Sequence, residues 1–555
     1  MLISLDHGQD LPSRYSMARR AGFAHFFEHT FSVFPGTVLR ARCCPEDPRS
    51  IRGDVFMHRY LAVLVLILLL GTTVSTAAQP ASCPNPNLGN FDERELKALN
   101  QKQSDLKLRA TASDNHNKWI EVLEAELATI PNLAVRSVQA EIRRWQARRT
   151  VLQVNGADVS PVTPAPSTKA TGASGATGEL LNLPTGRFSN NSRANGRIVV
   201  RKMQRAPLFD NELGATLEDL DDAEAARAKG LIYLSDLQDR QLEGLYIPYQ
   251  GREGSVPVVY VGRAASKRVT DAMTQPGRKA TISIEADITE RAPTRALVAT
   301  IKGAGPERIV VESHTDGVNA IWDNGPVAML AMARYLAQLP DECRKKQVEF
   351  YFVTGHLHQS INKANDRYFA KQLDEEYVTR PSVVVVIEHL GARQYKMNSN
   401  GVLELNGAND SLFVATSHST KLTSAARQAF FGVPGTVFWE GWPAPKNPPG
   451  ELKVLPPHCS FGGEGTSYNQ HLLPTVGAIA IPRSLFLPPF GMDAIDFKLM
   501  RQQTLAFTTL LRRIDQMSQD DIAGEVKEYR FLRDQGKAAS CPEHGSHQHS
   551  VRIAP

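Results

Sequence analysis

The stretch IVVESHTDGVNAIWDNG, residues 309–325, places His314, Asp316 and Asp323 within ten positions, directly after an apolar run. Two later apolar runs end in the same way. VEFYFVTG (348–355) is followed by His356 and His358, and VVVVI (383–387) by Glu388 and His389. In open α/β sheets, ligands bind beyond the carboxyl ends of the strands. Three strands that each deliver metal-competent side chains to one edge therefore point to a shared cation site. Zinc favours imidazole and carboxylate at about 2.0–2.2 Å, with three protein ligands and a water in catalytic sites. His314, Asp323 and Glu388 can supply that set. Asp316, two positions past His314, is placed to orient its ring. His356 is the candidate base for a water that bound zinc would acidify to a pKa of about 7.

The bland reading stands beside this one. Each of these residues alone is more often a polar loop group than a ligand. Asp323-Asn324-Gly325 is also a common turn and helix start, with Asp323 as N-cap. His358 and His389 fit surface or supporting positions. Glu464 in GGEGTSYNQHLLP is a further candidate for substrate contact or support, and the histidines of HGSHQHS (544–550) sit in a polar tail.

The positioning elements follow from the hydrophobic pattern. From residue 295 the rhythm is RALVATI (295–301), RIVVES (308–313), a helix over 325–339, QVEFYFVTG (347–355), a helix over 362–377, PSVVVVIEHLG (381–391), VGAIAIP (476–482) and a closing helix over 495–515. Uniformly apolar strands joined by helices predict an α/β fold with a mostly parallel central sheet and flanking helices. Residues 116–153 read as helix, with Trp119, Val122, Leu123 and Leu127 on one face and Val138, Ile142 and Trp145 on another. SPVTPAPSTKATGASGATG (160–178) reads as a linker, too small and polar to bury a face. Residues 180–292 carry the short strands GRIVV, GLIYL and VPVVYVG and predict a second, β-rich α+β domain.

The balance of 63 basic and 58 acidic residues in 555 gives no argument for nucleic acid, and RRWQARR (143–149) reads as a solvated face. MHRYLAVLVLILLLGTTVSTAAQ (57–79) has the layout of a secretory signal, and its apolar run is short of a membrane span. The expectation is an exported protein, anchored through residues 60–78 only if the segment is uncleaved, with 1–56 an over-extended or disordered start. That leaves Cys83, Cys343, Cys459 and Cys541. Three pairings are open; the closeness of domain termini favours Cys83–Cys541.

SHTDGVNAIWDNGPVAMLAMARYL (313–336) resembles the zinc aminopeptidase family that includes aminopeptidase Y, bacterial leucyl aminopeptidases and glutaminyl cyclases. The similarity runs over roughly 295–515. It implies a discontinuous peptidase-like domain (92–165 and 293–516), an inserted domain similar to protease-associated domains (178–292), and a C-terminal tail (517–555). Position by position it implies His314, Asp323 and Glu388 as metal ligands, Asp316 as the support of His314, and a peptide or small amine-bearing substrate. The sequence also departs from the pattern. Gly355-His356-Leu357 stands where the family has Gly-Glu-Glu, and no late histidine follows VGAIAIP. The resemblance thus implies one zinc rather than two and disfavours cyclase activity. The expected function is a zinc-dependent aminopeptidase-like hydrolase with His356 as base. The alternative is an inactive relative that binds peptide through the old cleft and the inserted domain.

Overall fold

The computed structural model describes residues 83–205, 212–213, 216–247, 253–358, 361–443, 456 and 458–537. The expected signal, the segment before it and the tail histidines lie outside the described residues. Among those described, no helix is long and apolar enough to cross a membrane.

In chain order the main elements are α1 (Glu93–Asp105), α2 (Asp114–Ala128), β1 (Ala134–Val154), β2 (Gly172–Asn182), β3 (Ile198–Lys202), α3 (Leu217–Ala225), β4 (Gly230–Leu234), β5 (Val258–Val261), α4 (Arg263–Met273), β6 (Lys279–Ile301), β7 (Arg308–His314), α5 (Gly325–Ala337), β8 (Gln347–Val353), α6 (Asp366–Glu376), β9 (Ser382–Glu388), β10 (Leu412–Thr416), α7 (Thr420–Ala429), β11 (Thr436–Phe438), α8 (Gly465–Gln470), β12 (Thr475–Ala480), α9 (Phe497–Gln516), α10 (Gln519–Ala523) and α11 (Val526–Asp534). The strand order β11-β10-β12-β9-β7-β8-β6-β2-β3-β4-β5 forms one continuous sheet. At its centre β7 runs parallel to β8 and β9, and β9 runs parallel to β12.

Every residue of β7 and β9 is buried, as a strand covered on both faces requires. One face packs on α1, α2, α5 and α9 through Trp119, Leu123, Met329, Phe507 and their neighbours, and the other on α6 through Phe369 and Leu373. Twelve of the thirteen residues of α5 are buried, so this helix is apolar all round and lies inside the core. Gly325 allows that approach. A Cβ there would meet Ser313 Oγ at 2.2 Å and the Ile387 carbonyl at 2.4 Å. Asn324, not Asp323, is the N-cap residue, and Pro326 fills the first turn, where its missing N–H is not needed.

Four expectations are corrected. Residues 134–153 are not helix but strand β1, paired antiparallel with β6 over nearly its whole length. Val138 and Ile142 are four apart, which fits a helix face, but it fits alternate strand positions equally. The β-branched content decides for strand once β6 is alongside. The basic cluster is solvated as expected, but on a strand, where Arg148 meets Glu285 and Arg143 meets Glu253 and Glu290. The linker expected over 160–178 contains the start of β2, whose small residues pair with β6 through their backbones without burying a face. Cys83 is bonded to Cys343 rather than Cys541, which staples the start of the described chain to the core domain. Part of the expected tail is helical. Arg530 and Arg533 of α11 both pair with Asp374 of α6.

Residues 152–284 contribute two further apolar clusters, one on each face of β3, β4 and β5. The expected boundary at residues 292–293 falls inside β6. This 23-residue strand pairs with β2 at one end and β8 at the other.

Candidate functional site

His314 is the last residue of β7 and Glu388 the last of β9, on neighbouring parallel strands. Their ends bring His314 Nε2 within 3.8 Å of Glu388 Oε2. His389 follows, and its Nε2 lies 4.0 Å from the same oxygen. Adjacent strand residues point to opposite faces, so His389 would ordinarily turn away from Glu388. It does not, because its backbone is left-handed (φ 58°) and swings the ring back. Asn324 holds this turn. Its Nδ2 donates to the Leu390 carbonyl and its Oδ1 accepts from the Leu390 N–H, each at 2.8 Å.

The two rings share one hydrogen-bond arrangement. His314 Nδ1 donates to the Asp316 carbonyl at 2.8 Å, and His389 Nδ1 donates to the Ala480 carbonyl. A neutral imidazole that donates from Nδ1 keeps a lone pair on Nε2. Neither Nε2 has a hydrogen-bond partner, nor does Glu388 Oε2. Burial holds His389 down at about 3 and His314 well below its ordinary range. Burial pushes Glu388 up to about 7, against the pull of His356 and the Glu464 N–H. The result is three converging donor atoms, all buried, with nothing from the protein to satisfy them. Buried polar atoms are rarely left so. Two imidazoles and a carboxylate are a donor set of the kind that holds zinc. Gly463 completes the wall, since a Cβ there would meet Glu388 Oε1 at 2.0 Å.

His356 stacks on His314, with ring centroids 4.2 Å apart and planes 10° apart. Its Nδ1 lies 3.4 Å from Glu464 Oε1, and its side chain, 19% exposed, is more open than its buried neighbours. His314, His356 and Glu464 form a second group of metal-competent atoms that overlaps the first at His314. Because His314 Nδ1 is committed to the Asp316 carbonyl, this histidine has one lone pair to give. Both groups cannot then be completed at once. Trp322 lies edge-on to His356 and His389 and packs on Phe486, so one side of the site is aromatic.

The expected ligand Asp323 is not brought into either group. Arg109 grips it with Nε (2.9 Å) and Nη2, and Gln103 Nε2 donates to it at 2.5 Å. The Asp316 carboxylate does not orient His314 either; its main-chain carbonyl does. The carboxylate accepts from Thr111 Oγ1 and from the N–H groups of His356 (3.3 Å) and Leu357 (2.8 Å), and so fixes the turn that carries His356. His358 lies apart, its Nε2 3.1 Å from the Arg143 carbonyl.

Neither a family model nor a curated protein matches the chain at the level of sequence. Its structure does have solved counterparts. The zinc aminopeptidase BSAP from Bacillus subtilis is 17% identical, with a TM-score of 0.57 covering 78% of this chain and 98% of that one. The aminopeptidase from Aneurinibacillus sp. strain AM-1 is 14% identical, with a TM-score of 0.54 over 76% and 94%. A peptidase M28 precursor from Shewanella amazonensis is 13% identical, with a TM-score of 0.54 over 77% and 97%. At these identities the likeness fixes the architecture: this chain has the α/β fold of the zinc aminopeptidases.

Proposed function

We propose that this protein is a metal-dependent, peptidase-like hydrolase that works with a single ion held by His314, Glu388 and His389. The observation that carries this reading is the convergence of three buried, unpartnered donor atoms at the ends of β7 and β9. A divalent ion there supplies Lewis acidity, polarising a carbonyl and acidifying water. The remaining roles fall to the chain's own groups. His356 accepts and returns a proton at Nε2, while Glu464 beside Nδ1 orients its ring. Asp316 holds the turn that presents His356. Trp322 and Phe486 wall one side of the site with aromatic rings. A peptide or amine-bearing substrate is favoured by the fold shared with aminopeptidases, and the lobe built on β3–β5 takes the part of the protease-associated-like domain. Export agrees with the Cys83–Cys343 disulfide, since such bonds persist in oxidising compartments.

A second reading is an inactive relative that binds peptide without metal. It is favoured by the capture of Asp323 by Arg109, which removes an expected ligand. Metal analysis and turnover of aminoacyl arylamides, with and without chelator, separate the two. One equivalent of zinc and chelator-sensitive turnover support the hydrolase. Metal-free protein without turnover leaves only the binding reading, and full activity in His356→Ala removes its role as base.

A further inference from the structure

Asp323 is the last acidic residue before α5, one position past Trp322, whose ring packs on His356 and His389. A carboxylate in that place, with no exposure to solvent, needs a counter-charge. The chain provides one from far away in sequence. The Arg109 side chain is also wholly buried. Its Nε and Nη2 bind the two Asp323 oxygens, Nη2 also donates to the Asn319 carbonyl at 2.7 Å, and Nη1 donates to the carbonyls of Gln103 (3.0 Å) and Lys107. The backbones of Arg109 and Gly317 are hydrogen-bonded to each other in both directions, at 2.8 and 3.1 Å. This fixes the start of the guanidinium side chain against the loop after β7. Gln103 Nε2 gives Asp323 a third donor, and Asn100 holds Gln103 in place at 3.1 Å.

We infer that Arg109 is a resident cation: its guanidinium takes, on Asp323, the position a divalent ion would otherwise take, and so bars a further ion on that carboxylate. The inference rests on the proposed metal site, but it concerns a different carboxylate. Its physical basis is the contrast in satisfaction. Asp323 meets three N–H donors and a full positive charge, whereas Glu388 Oε2 meets nothing. A guanidinium cannot lose its proton in a protein, so Asp323 is barred from metal ligation at every working pH.

The test is titration with Co(II), followed by its visible absorption, on wild type, on the double variant Arg109→Met/Asp323→Leu and on the single variant Arg109→Met. Replacing a buried ion pair by apolar residues of similar volume is often tolerated, so the double variant is the one expected to fold in every case. It should still bind one Co(II), with the wild-type band and an affinity well inside the roughly 10-fold loss that marks a disturbed ligand shell. A changed band, or a loss well beyond the roughly 10–100-fold that an outer-shell partner accounts for, makes Asp323 a ligand and overturns the inference. The single variant leaves Asp323 without its cation. It should take up one more Co(II) per chain than wild type and gain more thermal stability from the ion. A folded single variant that saturates as wild type does, with no extra gain in melting temperature, also overturns it. Wild type that binds no Co(II) defeats the proposed function instead, while the single variant's gain over wild type still decides the role of Arg109.

Discussion

Two groups of buried charge lie side by side at the mouth of the central sheet, and they are built in opposite ways. Around Asp323 both carboxylate oxygens are answered from within the chain, by Arg109 and Gln103. Around Glu388 the protein supplies two Nε2 lone pairs and no donor for Oε2. The first arrangement is complete without a ligand. The second is complete only with a cation or with protons. Both carboxylates are wholly buried, so residue type and burial alone do not separate a saturated carboxylate from an open one. The state of its partners does.

The comparison can be broken most sharply at Arg109. Removing one partner of a buried pair strands the other, so Arg109→Ala should lose about 3–5 kcal/mol in a urea titration; a loss under about 1 kcal/mol would show that Asp323 relaxes to other partners. Next comes Glu388→Gln, which removes the proposed negative ligand from the open group. Zinc affinity should fall at least 10–100-fold, while stability in chelator changes little, because no internal bond to Oε2 is lost. A large loss of stability in chelator would place Glu388 with the saturated kind. Gly463→Ala should cost about 1–3 kcal/mol, since its left-handed backbone (φ 54°) and the Glu388 carboxylate both exclude a Cβ. Zinc should restore little of that.

The smallest effect concerns a second saturated cluster. The Asp374 carboxylate accepts from Arg533 and lies 2.7 Å from Arg530 Nη1, and these contacts with His471 hold it below the usual carboxylate range despite burial. A group whose folded pKa is depressed contributes stability above its unfolded value, about 3.9, and loses it as the pH falls below that value. The urea midpoints of wild type and Asp374→Asn should therefore differ most at pH 6, and the difference should begin to narrow below about pH 4 and go on narrowing as the pH falls further. A constant difference would show that the contribution is packing rather than charge.

Much of the sheet was legible because β7, β8 and β9 are unbroken apolar runs with chemistry at their ends. His314 and Glu388 were found in that way. His389 was legible as a metal-competent residue but not as a neighbour of Glu388, because the alternation of a strand sends the two apart and only a left-handed turn reunites them. Arg109 left no trace at all: it lies 214 positions from Asp323, and an isolated arginine after a helix has many ordinary uses. The strand β1 was misplaced for a different reason. Its spacing of four fits both periods, and the partner that settles it, β6, is more than a hundred residues away.

That partner has a consequence for how the molecule can be taken apart. At about 3.3 Å per residue, the 23 residues of β6 span roughly 75 Å, and they are hydrogen-bonded to the half that carries His314 and Glu388 at one end and to the distal half at the other. A protease offered the folded protein finds no slack joint between the halves at that crossing, and a gene cut at residue 292 would leave each fragment with half a ladder and an open edge that invites aggregation. The halves are better regarded as a beam with two loads than as beads on a string.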